Sequence, residues 1–286
     1  MSETARQTRL LGDLESDVAH IETEGRVIRP ALGLLSALVD ECRLQVTPDG
    51  LSVTAVDPAN VALVDLTIHA RAFESYSVAE SFRTGLVVES LESSLRQARK
   101  GARTSDPVSL DVSAGRTVVE IERDYGDAAV TYADEVLGID PDSVREEPTM
   151  PELGLPASAA VPMQPLADAV EYINGVTDHM LVSRDGDDLR LAADGNEDTS
   201  GPFRAVVSVA DVVDCPDDED PRSWLSLDYV TDVVSALDSA LVDDVGVVFG
   251  DTFPVLFKFK RTDADGTVLY EGRYMISPRV KDGDPE

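Results

Sequence analysis

LVDECRLQVTPDGLSVTAVDPANVALVDLTI, residues 38–68, decides the architecture. Apolar and polar residues alternate through Arg43-Leu-Gln-Val-Thr, Leu51-Ser-Val-Thr-Ala-Val and Val61-Ala-Leu-Val-Asp-Leu-Thr-Ile. A period of two puts successive side chains on opposite faces of an extended chain, the mark of a half-buried strand. Pro48-Asp49-Gly50 separates the first two runs with turn chemistry, so together they predict an antiparallel hairpin. The alternation returns in Thr117-Val-Val-Glu-Ile-Glu-Arg. It returns again near the end, at 245–249, 255–260 and 267–276, around Asp251 and Asp265-Gly266.

Helical spacing is confined to four segments. Residues 30–41 place Leu34, Leu35, Leu38 and Val39 on one face, with Pro30 suited to a first turn. Residues 90–100 offer Ser90 as N-cap, a stripe of Leu91, Leu95 and Ala98, and Gly101 as the stop. Residues 164–174 carry Leu166, Val170 and Ile173 behind Pro165, and residues 228–240 carry Tyr229, Val233, Ala236 and Leu237. The first and third segments begin matching stretches. Pro30 and Pro165 lie 135 residues apart, and the Asp49-Gly50 and Asp185-Gly186 turns lie 136 apart. A helix–strand–turn–strand unit repeated at half the chain length is too long for a solenoid. It predicts an α+β fold of two similar domains, each a sheet with two helices on one face.

The expected division is an N-terminal extension (1–17), a first domain (18–136), a connecting loop (137–157) and a second domain (158–286). The loop, LGIDPDSVREEPTMPELGLPA, carries four prolines and a charge run without sustained period.

Across 286 residues, 24 Lys and Arg face 55 Asp and Glu, a formal charge of −31. Four of the bases are lysines: Lys100, Lys258, Lys260 and Lys281. An acidic, lysine-poor surface suits concentrated salt, where the screening length falls to about 3 Å and self-repulsion costs little. The alternative is a specialised acidic protein that mimics DNA. Apolar content of 43% keeps the chain globular rather than disordered. Cys42 and Cys215 stand far apart in no metal or disulfide pattern and read as core residues in a reducing cytoplasm. No stretch approaches 18 consecutive apolar residues, so the expectation is a soluble, cytoplasmic protein.

Three separated motifs, in order, carry a family resemblance: the 38–68 stretch with its D-P-A-N-V loop, the connector with IDPDSVREEP and MPELGLP, and the terminal Tyr274-Met-Ile-Ser-Pro-Arg-Val. Together they resemble archaeal and eukaryotic DNA sliding clamps of the proliferating-cell-nuclear-antigen type across residues 18–286. The resemblance implies a homotrimeric ring around duplex DNA, with helices lining the hole and antiparallel sheets outside. It implies a polymerase processivity factor rather than an enzyme, without cofactor. Its implied partners are DNA polymerase, clamp loader, flap endonuclease and ligase, held through short peptides.

Carried over residue by residue, the peptide pocket comprises Val56, Asn60, Val61 and Leu63 with Leu153 and Leu155 of the connector. Pro254, Met275, Ser277 and Pro278 complete it, and Arg279 and Val280 offer backbone to the extended part of the peptide. For Val56, Val61 and Leu63 the plain alternative is strand core. The candidates for transient phosphate contact are Arg26, Arg29, Arg96, Arg99, Lys100 and Arg103. The helices of the second half depart from the family: residues 164–174 carry Asp168 and Glu171, and residues 228–240 carry Asp228, Asp232 and Asp238, with no base in either. That departure motivates a second reading, a divergent paralogue acting as a monomer or a hetero-ring subunit. A hydrolase built on carboxylate pairs is the reading from another class.

His20, His69 and His179 show no metal spacing, so no metal site is expected. Asp263-Ala-Asp-Gly266 opens like a calcium loop but lacks the following glutamate and reads as a hairpin turn. No phosphate-binding, dinucleotide or nucleophile-elbow motif is present.

Overall fold

The computed structural model describes residues 18–97, 106–146, 148–149, 152–193, 205–209, 214–216 and 221–279. In chain order the first half runs β1 (Val18–Glu24), α1 (Gly25–Ser36), β2 (Glu41–Thr47), β3 (Gly50–Val56), β4 (Ala62–His69), β5 (Ser75–Val78) and β6 (Phe82–Val87), then α2 (Val88–Gln97), β7 (Pro107–Ser113), β8 (Arg116–Asp124) and β9 (Ala129–Leu137). The second half repeats this order: β10 (Ala157–Pro162), α3 (Met163–Asn174), β11 (His179–Asp185), β12 (Asp188–Ala193), β13 (Ala205–Ser208) and β14 (Arg222–Ser226), then α4 (Leu227–Ser239), β15 (Asp244–Phe249), β16 (Val255–Thr262) and β17 (Val268–Ile276). A strand, a helix, a group of strands, a second helix and three closing strands therefore occur twice, the twofold plan read from the 38–68 stretch and its counterpart.

By contact the chain forms two compact units. One holds Met1–Arg29, Glu41–Ser52 and His69–Glu146; the other holds Pro30–Asp40, Val53–Ile68 and Glu147–Glu286. In the first, an antiparallel sheet runs β5-β1-β7-β8-β9, and β2 pairs with β3 on one side and β6 on the other. Alternation governs burial: Cys42, Leu44 and Val46 of β2 face inward, as do Val108, Leu110 and Val112 of β7. Burial pushes the Cys42 thiol up to about 12, with the neighbouring charge of Glu41 adding to the effect, so it behaves as a small apolar core residue. The Pro48-Asp49-Gly50 turn closes the β2–β3 hairpin with Gly50 at φ 140°, and the Tyr76 hydroxyl donates to the Thr47 carbonyl at 2.7 Å. In β8 the inward series Thr117, Val119, Ile121 ends on Arg123, a base where the pattern calls for an apolar side chain. There it donates to the Tyr125 hydroxyl at 3.3 Å and to Asp106 at 3.1 Å, and the Tyr132 ring centroid lies 5.3 Å from the guanidinium.

In the second unit one sheet runs β13-β12-β11-β14 and another joins β10-β15-β16-β17-β4 to the end of β3. α3 buries Met163, Leu166, Ala169, Val170 and Ile173; α4 buries Leu227, Val230, Val233, Val234 and Leu237; the two pack together. Two buried tyrosines of β17 hold helix ends. Tyr274 donates to the Leu34 carbonyl at 2.5 Å, and Tyr270 to the Ala240 carbonyl at 2.6 Å, satisfying acceptors that a helix C-terminus leaves open. Tyr274→Phe strands the Leu34 oxygen, and the expected cost is about 1–3 kcal/mol in urea unfolding at molar salt. A loss below about 0.5 kcal/mol would mean that the bond is not a net contributor. On the other face of this sheet Lys258, Lys260, Glu271 and Arg273 join Asp65 and Asp244 around an open cleft of about 570 Å³, where Arg273 pairs with Asp65 at 3.2 Å.

Two helix starts differ from expectation. α1 begins at Gly25, five residues before Pro30, so the proline lies inside the helix rather than in its first turn. β1 runs directly into α1 with no residue between them, and Pro30, lacking an N–H, cannot bond back to the Arg26 carbonyl. α2 likewise follows β6 without a break, so Ser90 is a helical residue and not a cap. The Asp263 turn forms the expected β16–β17 hairpin, its carboxylate accepting the N–H groups of Asp265 and Thr267 at 2.9 and 2.8 Å.

Candidate partner-docking and nucleic-acid faces

Of the docking candidates, those of 56–63 and 275–279 lie where β4 begins and β17 ends, within the second unit. The pairing of these strands carries Met275 opposite Leu63 and Ile276 opposite Ala62. One further bond, from the Ser277 N–H to the Val61 carbonyl at 2.8 Å, prolongs the ladder past the strand end. The chain then turns, and the Arg279 N–H donates to the Trp224 carbonyl at 2.7 Å. The Arg279 guanidinium meets the His179 ring.

Ahead of β4 the 57–62 turn is built on one carboxylate. Asp57, 3% exposed, accepts the N–H groups of Ala59 (2.9 Å), Val61 (2.6 Å) and Ala62 (2.7 Å), and the Tyr229 hydroxyl at 2.7 Å. Burial alone would raise its carboxyl. The Ala62 N–H, the Tyr229 hydroxyl and the Ala59 and Val61 N–H groups together outweigh that and hold it below the ordinary carboxylate range. Asn60 takes φ 61° in this turn, the left-handed region that asparagine tolerates better than most side chains.

Val56, Val61, Leu153, Leu155, Pro254, Met275, Ser277 and Pro278 are half-buried, Asn60 and Arg279 exposed, and Leu63 buried. Val280 lies outside the described residues. Leu155 closes on the turn between β15 and β16: a Cβ placed on Gly250 would stand 3.1 Å from Leu155 Cδ2 and 3.6 Å from Phe253 Cβ. Phe253, 52% exposed beside Pro254, was not among the expected docking residues. Its signal in the sequence is an aromatic beside Pro254 in the turn that follows Asp251, in a chain with 5% aromatics. The contact between Asp57 and Tyr229 that shapes this turn was not expected from the sequence either.

Of the basic candidates, Arg26 is exposed in the first turn of α1 and meets the Glu24 carboxylate. Arg29 is half-buried, and Arg96 pairs with Glu92 at 2.7 Å one turn away. Arg99, Lys100 and Arg103 lie outside the described residues. In the second unit α3 exposes Asp168, Glu171 and Tyr172, and α4 exposes Asp228, Asp232 and Asp238. Burial and the charge of Asp228 raise the Asp232 carboxyl. Among the described residues no three His, Cys, Asp or Glu side chains converge as a metal site, and no helix is long and apolar enough to cross a membrane.

The architecture matches that of proliferating cell nuclear antigen (PCNA). The A. fulgidus PCNA bound to the C-terminal region of FEN-1 superposes with a TM-score of 0.76 at 24% identity, over 92% of this chain and 99% of that one. The Thermococcus kodakaraensis PCNA gives 0.75 at 24% identity, over 91% and 100%. Residues 19–143 match the family described as proliferating cell nuclear antigen, N-terminal domain. These likenesses define the class: a two-domain clamp fold.

The sequence relatives narrow it. The DNA polymerase sliding clamp of Halobacterium salinarum is 34% identical over 256 residues, covering 89% of this chain and 95% of the relative. That of Natronomonas pharaonis is 32% identical over 251 residues, covering 88% and 94%. The chain belongs to the family of DNA polymerase sliding clamps.

Proposed function

We propose that this protein is a sliding clamp and polymerase processivity factor whose copies close a ring around duplex DNA and recruit replication and repair enzymes through short peptides. The observation that carries the reading is the match, along 89% of the chain, to proteins described as DNA polymerase sliding clamps. The clamp acts without a catalytic group or cofactor, in the cytoplasm. A polymerase that releases the primer end stays tethered at high effective concentration and rebinds.

The ring is a homotrimer. Its two halves per chain are residues 18–136 and 158–286, with 137–157 as the connector and 1–17 as an extension. Val56, Asn60, Val61, Leu63, Leu153, Leu155, Pro254, Met275, Ser277 and Pro278 form the notch for a one-turn amphipathic helix, and Arg279 and Val280 pair with its extended flank. The neighbouring A. fulgidus clamp holds a FEN-1 C-terminal region, which supports flap endonuclease as one partner beside polymerase, clamp loader and ligase. Arg26, Arg29, Arg96, Arg99, Lys100 and Arg103 touch phosphates transiently. The acidic faces of α3 and α4 add no such contact. In molar salt, releasing counterions supplies little driving force, so topological linkage carries the association with DNA.

The test is sizing in molar potassium chloride, with and without a polymerase C-terminal tail peptide. Three times the 30.7 kDa chain mass and saturable peptide binding are expected. A monomer indifferent to the peptide would overturn the reading.

A further inference from the structure

We propose that Tyr229 is a positioning residue for partner docking: through its hydrogen bond to Asp57 it holds the 57–62 turn in the shape that presents Asn60 and Val61. The inference rests on the peptide-docking reading above and deepens it, because neither residue belongs to the notch itself.

Three of the donors to the Asp57 carboxylate come from its own turn, at Ala59, Val61 and Ala62. They shape the turn from within but do not tie it to α4. The Tyr229 hydroxyl arrives from α4, 172 residues along the chain, and reaches Oδ2 at 2.7 Å. α4 is a firm mount, since Leu227, Val230, Val233, Val234 and Leu237 are all buried. The main chain completes a circuit. Asp57 N–H donates to the Ala62 carbonyl (2.9 Å), Val61 C=O accepts Ser277 N–H, and two residues on Arg279 N–H reaches Trp224 C=O in β14, the strand that leads into α4. The turn, the end of β17 and the start of α4 are thereby tied into one frame. Within it Asn60 keeps its positive φ, a conformation that persists where the surroundings over-determine it.

A turn released from α4 would have to be ordered by the peptide, and that ordering is subtracted from affinity. The contact joins Asp57 to Tyr229, and the charge of Asp228 stands beside Tyr229 on α4. Burial, the bond to Asp57 and the charges of Asp57 and Asp228 push the Tyr229 hydroxyl up to about 12, so it stays a donor throughout the working range. Asp57 is the group that titrates. Its depressed folded value means that its contribution is complete above the unfolded carboxylate value and lost as pH falls through the folded one. Without the Tyr229 hydroxyl that lower limit moves upward.

The experiment measures binding of a fluorescent peptide from the flap endonuclease C-terminal region at molar salt, from neutral pH down through the carboxylate range. Wild type is compared with Y229F, D57N and the double variant, and amide exchange at Val61 and Ala62 is followed in each. Y229F is expected to bind on the order of tenfold more weakly at neutral pH, with its acid midpoint raised. The Val61 and Ala62 amides should exchange faster, and the losses of Y229F and D57N should not add in the double variant. A folded Y229F that matches wild type in affinity, acid midpoint and exchange overturns the assignment while leaving the docking reading intact. A wild-type clamp that ignores the peptide removes both.

Discussion

Replacing Ala133 with proline is expected to reduce the mass in molar salt from three chains to one. β9 is the long outer strand of the five-stranded sheet, paired along Ala129–Leu137 with β8 and, among the described residues, with nothing on its other side. All of it except Val136 is exposed, including Val130 and Tyr132 at 40% and Leu137 at 70%. An open edge of that length invites another strand, and closure of the proposed ring would cover it. The bond from Gly138 N–H to Gly115 C=O (2.7 Å) sets the alternation, so even-numbered residues of β9 bond inward to β8 and odd-numbered ones turn their N–H outward. Ala133 is an odd position, opposite Glu120. Proline there spares the β8 ladder, deletes an outward donor and sets its ring against an incoming strand. The expected penalty is about 1–3 kcal/mol per interface, roughly fivefold to more than a hundredfold in the association constant. An A133S control should remain trimeric. A folded A133P protein of unchanged mass would place the interface elsewhere.

Gly272→Ala is expected to be the most damaging conservative change in the second unit. Gly272 sits mid-strand in β17, opposite Phe259 on one side and Leu66 on the other. A methyl group would enter the contact radius of the Asp65 carbonyl oxygen and stand 2.8 Å from Phe259 Cζ and 3.2 Å from Leu66 Cα. The ring has little room to retreat, because it leans on Tyr274 with centroids 5.5 Å apart. The carbonyl and Cα belong to β4 itself, so relief requires prying β4 from β17. About 3 kcal/mol is the expected cost, a fall of roughly 6–12 °C in calorimetric midpoint for a chain of this size. Because Met275 and Ser277 lie just beyond on the same chain segment, peptide affinity should fall as well. A change below about 1 kcal/mol would show that the strands separate without penalty.

What the residues disclosed follows from how each feature is encoded. β2, β7 and β8 are half-buried antiparallel strands, and their period of two is written locally, which is why the hairpins and the repeat were legible. The start of α1 was not, because a strand that passes straight into a helix at Gly25 offers no cap to read, and Pro30 drew the boundary to itself. Arg123 shows the limit of alternation: its inward place depends on Asp106 and Tyr132, neither adjacent to it in sequence. The proposed docking segments came only from resemblance to a family, as separate pieces. Their frame was not, since a contact between Asp57 and Tyr229 leaves no periodicity and no motif.

The two lysines side by side on β16 have a practical consequence. Lys258 and Lys260 are exposed on one face of that strand, and the sequence holds only Lys100 and Lys281 besides. Amine-directed reagents therefore meet very few targets on this molecule, two of them on the cleft face of the β16–β17–β4 sheet. A dye or surface linker attached there would mark that face and would report the passage of single copies of the proposed ring along a stretched duplex.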